Sequence, residues 1–430
     1  MHTLGDIPKW GARNYADRPA VVYDKVRLTY KELNDRTNRV AHALTGLGCR
    51  RGDRLAVLAE NSHKYLEIYL AAGKLGMSLN PLNFMLPEAD LIHMVNDSEA
   101  SLLMVGNGYE ACAARMKRGL KTIRNWVTLD GKRKGFLDYE DLLKTAPRQE
   151  PDVNVEEDEM AALIYTSGTT GVPKGVMLSH RNIITTAWTT TAMMDLSPAD
   201  CGCFVLPFFQ TEIFYALCLL MAGGKIAINR KAEQSEILRL IQNEKCTHIN
   251  LVPAIYDWLR QYPEIDQFDI SSIRIMSYTG GAFAPDVLSQ CVKKFWKRFA
   301  QGYGMTETSG CAVTVLKSDD HVLEGPRSKL LASAGKPSKW AEVRVVDSDD
   351  VPVKPQEIGE VVIRGQNVMM GYWKNPELTR TVLRNGWFHT GDIGYLDEEG
   401  YLFVVGRKAS QRFASVRYPV PKSTDARMAI

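Results

Sequence analysis

Residues 165–180 read YTSGTTGVPKGVMLSH and gather hydroxyl side chains, glycines and a lysine into one short turn. This combination indicates a bound phosphate, because hydroxyls and backbone N–H groups donate hydrogen bonds and lysine supplies positive charge. The P-loop motif requires glycine before its lysine and serine or threonine after it. Here Pro173 precedes Lys174, and Gly175 follows it. The stretch is therefore a different donor-rich loop, and the apolar run AALIYT before it predicts that the loop follows a β-strand.

The composition is that of a globular chain that can bury large cores. Of its 430 residues, 45% are hydrophobic and 24% are charged. The net charge of +3 is too small to indicate nucleic acid or an anionic membrane as the main partner. The longest apolar run, at 213–224, is shorter than the roughly 18 residues of a membrane span, and it predicts a buried helix. The N-terminus lacks a signal peptide pattern.

The cysteine pattern favours a reducing compartment. Eight cysteines are scattered along the chain, and Cys201 and Cys203 are close neighbours without the second pair that a zinc site needs. We therefore predict free thiols and a cytoplasmic protein. The sequence leaves the oligomeric state open.

The alternation of helical and strand-like segments predicts an α/β fold. The segment RLTYKELNDRTNRVAHALTGLG, for example, combines a strand end with an amphipathic helix that stops at glycines. After about residue 332 the pattern changes to short β-rich runs such as EVRVVDSDD and GYLFVVGR. We predict two doubly wound α/β subdomains over residues 1–160 and 161–331, a small β-rich, barrel-like subdomain over 332–408, and a tail over 409–430.

Seven segments in order along the chain resemble motifs of the adenylate-forming superfamily, which comprises acyl-CoA synthetases, peptide-synthetase adenylation domains and luciferases. They are RLTYKEL, NPLN, YTSGTTGVPKG, TGGAFAP, QGYGMTETSG, GEVVIRGQNVMMGYW and WFHTGDIGYLDEEGYLFVVGRK. The resemblance extends over residues 10–408 and implies the large N-terminal domain of the adenylate-forming fold. Such enzymes activate a carboxylate with ATP and Mg²⁺ as an acyl-adenylate, and the ligases then transfer the acyl group to coenzyme A.

The resemblance also implies the roles of individual residues. The loop would hold the β- and γ-phosphates through Thr166, Ser167, Gly168, Thr169, Thr170, Gly171 and Lys174. Thr306 would bond the α-phosphate and Glu307 would bind Mg²⁺, so that Thr166, Lys174, Thr306 and Glu307 form the catalytic set. Tyr303 would lie against the adenine together with Gly281, Ala282 and Gly302. Asp392 and Arg407 would bind the ribose hydroxyls.

Each of these residues also has an ordinary structural interpretation. The loop could be a polar turn, Tyr303 a core tyrosine, Glu307 a helix-capping residue and Asp392 a turn residue. The joint occurrence of the motifs in order favours the functional interpretation. We interpret His389, within the same segment as Asp392, as structural.

The segment that follows residue 206 bears on the substrate. Relatives that activate amino acids place an aspartate there, whereas this chain reads Phe208, Phe209, Gln210 and has no carboxylate before Glu212. Gln210 occupies the place of a usual histidine, which puts the role of that position in doubt. The aromatic residues, with Tyr278 and Gly280 in SYTGG, predict an apolar acyl or aryl pocket and an ATP-dependent fatty-acid or aryl-acid CoA ligase. The alternatives are a catalytically weak ATP- and acyl-binding protein and, more remotely, a luciferase-type oxygenase.

The end of the chain departs from the family pattern. In relatives a polar hinge residue and a mobile lid with a catalytic lysine follow the GRK segment. Here Ala409 stands at the hinge position, and residues 409–430 do not resemble the lid. We therefore expect thioester formation by this chain to be impaired.

Overall fold

A computed structural model describes residues 1–166, 173–281, 283–295 and 298–408. The strands are β1 Pro19–Tyr23, β2 Val26–Thr29, β3 Arg54–Leu58, β4 Ser78–Pro81, β5 Leu102–Val105, β6 Asn125–Thr128, β7 Leu137–Asp138, β8 Met160–Thr166, β9 Lys174–Ser179, β10 Cys201–Phe204, β11 Lys225–Ile228, β12 His248–Leu251, β13 Ile275–Tyr278, β14 Arg298–Met305, β15 Gly310–Leu316, β16 Lys336–Pro337, β17 Ala341–Val346, β18 Gly359–Gly365, β19 Gly371–Tyr372, β20 Leu383–Arg384, β21 Trp387–Leu396 and β22 Leu402–Arg407. They form two large sheets and a smaller one.

The helices lie between the strands in sequence, as an α/β fold requires. They are α1 Asp6–Tyr15, α2 Tyr30–Gly46, α3 His63–Leu75, α4 Glu88–Asp97, α5 Glu110–Met116, α6 Tyr139–Thr145, α7 His180–Met193, α8 Glu212–Met221, α9 Gln234–Glu244, α10 Pro253–Arg260, α11 Pro285–Phe295 and α12 Pro376–Val382. Capping explains several of their starts. Thr29 and Glu32 form a capping box at α2, and Ser179 and Asn182 form another at α7.

The first large sheet has the order β19-β9-β8-β4-β3-β5-β6-β7. Its central strands β3, β4 and β5 are parallel and almost entirely buried, and β3 and β5 consist almost entirely of apolar residues. Parallel strands covered by helices on both faces need such continuous apolar runs. The antiparallel pair β8 and β9 extends the sheet and places the two ends of the Ser/Thr/Gly loop side by side.

The second large sheet has the order β16-β15-β14-β13-β12-β10-β11-β1-β2. Its strands β10 to β14 are parallel, and β15 turns back against β14. Helix α8 packs against this sheet and is almost entirely buried, which confirms the prediction for the apolar run. Within the part of the chain that is described, no helix is long and apolar enough to cross a membrane.

The smaller sheet is antiparallel and contains β17, β18, β20, β21 and β22. Its strand β17 alternates between buried and exposed residues over most of its length, as expected when one face packs on a core and the other meets solvent. Together the three sheets confirm the predicted fold class. The sheets interleave in sequence, however, because β1 and β2 join the second sheet while β19 joins the first. The division into domains stays a prediction.

Candidate active site

Two residues of the predicted phosphate loop, Thr166 and Lys174, lie on paired strands of the first sheet. Thr166 ends β8 and lies opposite Lys174, the first residue of β9. Ser167, Gly168, Thr169, Thr170 and Gly171, which the sequence predicts to bind phosphate, lie outside the described residues. The ammonium of Lys174 lies 5.0 Å from the ring centroid of Tyr372. Burial lowers the pKa of Lys174, and the nearby carboxylate of Glu307 opposes that shift.

Glu307 lies close to this lysine although it comes from the second sheet. It belongs to a short 3₁₀ turn, Thr306–Thr308, that directly follows β14. The hydroxyl of Tyr372 donates a hydrogen bond of 2.8 Å to Oε1 of Glu307. Tyr372 therefore contacts both Lys174 and Glu307, and we call these three residues the phosphate-side cluster. Burial, reinforced by Glu307, raises the pKa of Tyr372 and keeps its hydroxyl protonated.

Tyr372 lies in the segment GEVVIRGQNVMMGYW, which resembles a family motif, but the resemblance implied no role for this residue. Its position follows from strand pairing, since Tyr372 in β19 lies opposite Val176 in β9. The backbone N–H of Trp373 also donates to the carbonyl of Gly175 at 2.8 Å. Tyr372 lies about 200 residues after Lys174 in the sequence, and nothing in its own glycine-rich segment predicts that the two residues are in contact.

Three of the residues predicted to bind adenine and ribose form a second group. The hydroxyl of Tyr303 donates to Oδ2 of Asp392 at 2.7 Å, and Nε of Arg407 lies 2.6 Å from Oδ1. Asp392 and Arg407 are register partners in β21 and β22. Burial and the charge of Asp392 raise the pKa of Tyr303, so its hydroxyl stays a donor. We call Tyr303, Asp392 and Arg407 the ribose-side cluster.

The two clusters are electrostatically connected. The positive charge of Arg407 adds to the burial that lowers the pKa of Lys174, and it opposes the rise in the pKa of Tyr372. Tyr303 and Glu307 are also separated by only a few residues at the end of β14. The structure therefore brings phosphate-, metal- and ribose-binding candidates from three sheets to one place.

Glycines around β14 permit close approach of the backbone. A side chain at Gly302 would place its Cβ only 2.2 Å from the carbonyl oxygen of Cys311. Gly280 has a φ of +79°, a conformation that favours glycine. Gly281 has open space beside it, as a backbone surface facing a flat ring would need. Ala282 lies outside the described residues.

A cavity adjoins the segment that carries Tyr303 and Glu307. The open space in and at the mouth of this cavity amounts to about 560 Å³. Helices α7 and α8, strand β12 and the β14–β15 hairpin contribute to its wall, with Thr186, Met193, Glu212, Phe214, Asn250 and Gly302 among the lining residues. The cavity therefore lies beside the residues that the sequence predicts to bind the nucleotide.

The aromatic residues predicted for the acyl pocket lie in the protein core. Phe208 packs against Tyr65 with ring centroids 6.0 Å apart, and Phe209 packs against Phe84 at 5.2 Å. Tyr278 is fully buried and its ring lies 5.1 Å from that of Phe283. Gln210 is partly buried, and Gly280 precedes the open backbone at Gly281. The assignment of these five residues to substrate binding stays a prediction, whereas Phe214 and Glu212 line the cavity directly.

His389 has a structural environment. Its Nδ1 lies 3.0 Å from Oε2 of Glu360, and both side chains are buried. Lys408 also donates to Glu360, at 2.8 Å. Glu360 of β18 thus connects the strand β21, which carries Asp392, with the end of β22, which carries Arg407.

Comparisons with known proteins identify the family. The sequence profile named AMP-binding enzyme matches residues 8–373. The chain belongs to this AMP-binding enzyme family. Its members include a feruloyl-CoA synthase from Amycolatopsis sp, which is 34% identical over 406 residues that cover 94% of this chain and 78% of the relative. The long-chain-fatty-acid–CoA ligase FadD13 of Mycobacterium tuberculosis is 32% identical over 390 residues, covering 89% of this chain and 74% of that protein.

A solved structure extends the comparison with the AMP-binding enzyme family to the fold. The inhibitor-bound N-terminal domain of FACL13 from Mycobacterium tuberculosis superposes with a TM-score of 0.87 at 29% identity. The match covers 95% of this chain and 100% of that domain. The three-sheet architecture is thus that of the N-terminal domain of an adenylate-forming enzyme.

Proposed function

We propose that the protein is an ATP-dependent acid–CoA ligase that acts on a fatty or aryl acid through an acyl-adenylate. The names of its relatives, a feruloyl-CoA synthase and a long-chain-fatty-acid–CoA ligase, support this class of reaction. The observation that carries the proposal is that the phosphate-side and ribose-side clusters lie together beside a cavity.

The clusters suit the chemistry of carboxylate activation. A carboxylate must attack the α-phosphorus of ATP while pyrophosphate leaves, so two anions meet and negative charge accumulates. Lys174 supplies a positive charge beside the loop, and Thr306 places a hydroxyl donor at the end of β14. Asp392 accepts two hydrogen-bond donors in this structure, one on each oxygen, and could accept the two ribose hydroxyls in the same way.

Mg²⁺ fits the residues present. Magnesium is commonly held by one or two carboxylates together with the phosphates of the substrate, rather than by a full protein cage. Among the described residues no group of three metal-ligating side chains occurs, while Glu307 presents a single carboxylate to the phosphate side. Glu307 would hold the ion, which would neutralise charge on the phosphates. Tyr372 fixes the carboxylate through its hydrogen bond.

The cysteines support a reducing compartment for this reaction. All eight are free thiols, and six of them are buried. We therefore place the proposed activity in the cytoplasm.

The test measures ATP binding, pyrophosphate release and thioester formation separately, with fatty, aryl and α-amino acids as substrates. The proposal expects ATP binding by calorimetry and pyrophosphate release with fatty or aryl acids. Absence of ATP binding by the folded protein, or a response to α-amino acids alone, contradicts it. Binding of ATP and an acid without pyrophosphate release would instead favour an ATP- and acyl-binding protein.

A further inference from the structure

A buried carboxyl group lies in the wall of the cavity beside the nucleotide candidates. Glu212, the first residue of α8, is only 7% exposed and is one of the lining residues. Its Oε2 accepts a hydrogen bond of 2.8 Å from Asn250. Its Oε1 is buried and has no hydrogen-bond partner among the residues that the structure describes.

Asn250, the hydrogen-bond partner of Glu212 among the described residues, is itself held in one orientation. Ser277 donates to Oδ1 of Asn250 at 3.1 Å, which leaves the amide nitrogen of Asn250 to donate to Glu212. Asn250 and Ser277 are register partners on the neighbouring parallel strands β12 and β13, so they share one face of the sheet. The sheet therefore orients one oxygen of the carboxyl group and leaves the other without a donor.

The surroundings of Glu212 provide no counter-charge. Across residues 1–166, 173–281, 283–295 and 298–408, no lysine, arginine or histidine forms an ion pair with it. Neighbours in the cavity wall include Thr186, Thr190 and Thr279, which are neutral. A buried acceptor without a donor is unfavourable, and a carboxylate buried without a counter-ion is more so. A ligand that brings a donor into the cavity would remove this penalty.

We propose that Glu212 selects carboxylic acids that carry a hydrogen-bond donor, a hydroxyl or an ammonium group, on the part of the molecule that enters the cavity. This inference rests on the proposed acid–CoA ligase function and narrows its substrate class. It also revises the sequence argument, which treated the segment after residue 206 as lacking a carboxylate in reach of the substrate. A site that bonds a polar group rejects the analogue without that group, because its own buried polar atom stays unpaired.

The test uses the full chain and matched straight-chain acids of graded length with a terminal hydroxyl, a terminal ammonium or neither. Affinities are measured by calorimetry in the presence of ATP for the wild type, Glu212→Gln and Glu212→Leu. The wild type should bind at least one donor-bearing acid about tenfold or more tightly than its unsubstituted counterpart. In the glutamine variant the amide oxygen accepts from Asn250, so the amide nitrogen takes the position of the unpaired oxygen. This nitrogen can donate to a hydroxyl oxygen but not to an ammonium, so the variant should keep a preference for the hydroxyl and lose a preference for the ammonium. The leucine variant should lose both.

The control is Glu398→Gln, which makes the same change at an exposed turn. ATP binding verifies that each variant is folded, and the glutamine variant decides the test if the leucine variant fails to fold. The inference is overturned if no acid with a terminal hydroxyl or ammonium binds more tightly than the unsubstituted acid of the same length. This holds both when the two acids bind equally and when neither binds. A preference for either donor that survives in the leucine variant, or for ammonium in the glutamine variant, also overturns it. Loss of ATP binding in the wild type would instead contradict the proposed function.

Discussion

Replacing Glu212 with glutamine removes a titratable group from the wall of the cavity and keeps the hydrogen bond that Asn250 donates. Burial raises the pKa of Glu212 from 4.5 to about 8 in the folded protein. The unfolded chain loses this proton near the ordinary glutamate pKa. Between these two values the folded state binds more protons than the unfolded state, so the wild type should become less stable as the pH rises. The variant lacks this contribution.

The size of the effect follows from the two pKa values. Each pH unit within the window changes the free energy of unfolding by about 1.4 kcal/mol. From about pH 6 to about pH 8 the wild type should therefore lose about 2 kcal/mol relative to Glu212→Gln. Other groups in the cavity wall should not contribute, because burial raises the pKa of Cys311 to about 11 and that of Cys218 to about 12.

Urea unfolding followed by tryptophan fluorescence, at a series of pH values, measures this difference. Glu398→Gln serves as the control and should follow the wild type at every pH. Infrared spectroscopy provides a second measurement, because the wild type without a bound acid should show the carbonyl band of a protonated carboxyl group near neutral pH and the variant should not. Parallel stability curves for the wild type and Glu212→Gln would refute the reasoning.

Three further substitutions test the nucleotide site. Asp392→Ala should weaken ATP binding in calorimetry by about 1.5–3 kcal/mol, because it removes hydrogen bonds to a charged group; unchanged affinity would contradict a ribose role. Lys174→Met should slow pyrophosphate release about 10²- to 10³-fold, whereas Lys134→Met, at an exposed lysine, should leave the rate unchanged. Tyr372→Phe removes only the hydroxyl that contacts Glu307 and should raise the Mg²⁺ concentration needed for half-maximal pyrophosphate release; an unchanged requirement would show that this hydrogen bond does not position the carboxylate.

Sequence motifs predicted the fold class, and they singled out the residues of the ribose-side cluster, because both depend on strongly patterned segments. The doubly wound units follow from buried apolar strands that alternate with amphipathic helices, as in β3, α3 and β4. Tyr303, Asp392 and Arg407 lie in three recognisable motif positions, and the structure places them in contact.

Other parts of the site depend on pairings that no local pattern encodes. Tyr372 lies near Lys174 because β19 pairs with β9. These two strands are far apart in the sequence, and no helical or strand periodicity in either one predicts that they pair. Glu212 was discounted because it lies beyond the expected position of a substrate-binding carboxylate. Glu212 nevertheless lies in the cavity wall at the start of α8, and its contact with Asn250 of β12 could be seen only in the structure.

The geometry of the site has a consequence for how its parts are held together. Lys174 comes from the first large sheet, Glu307 follows a strand of the second, and Asp392 and Arg407 belong to the smaller sheet. A nucleotide that contacts all four residues would connect three sheets, each with its own strand pairing. A ligand that binds the folded protein stabilises it by about 2.7 kcal/mol at a concentration of 100 times its Kd. Since that energy is released only when the three sheets are docked, ATP should stabilise the contacts between the sheets as well as the residues that it touches.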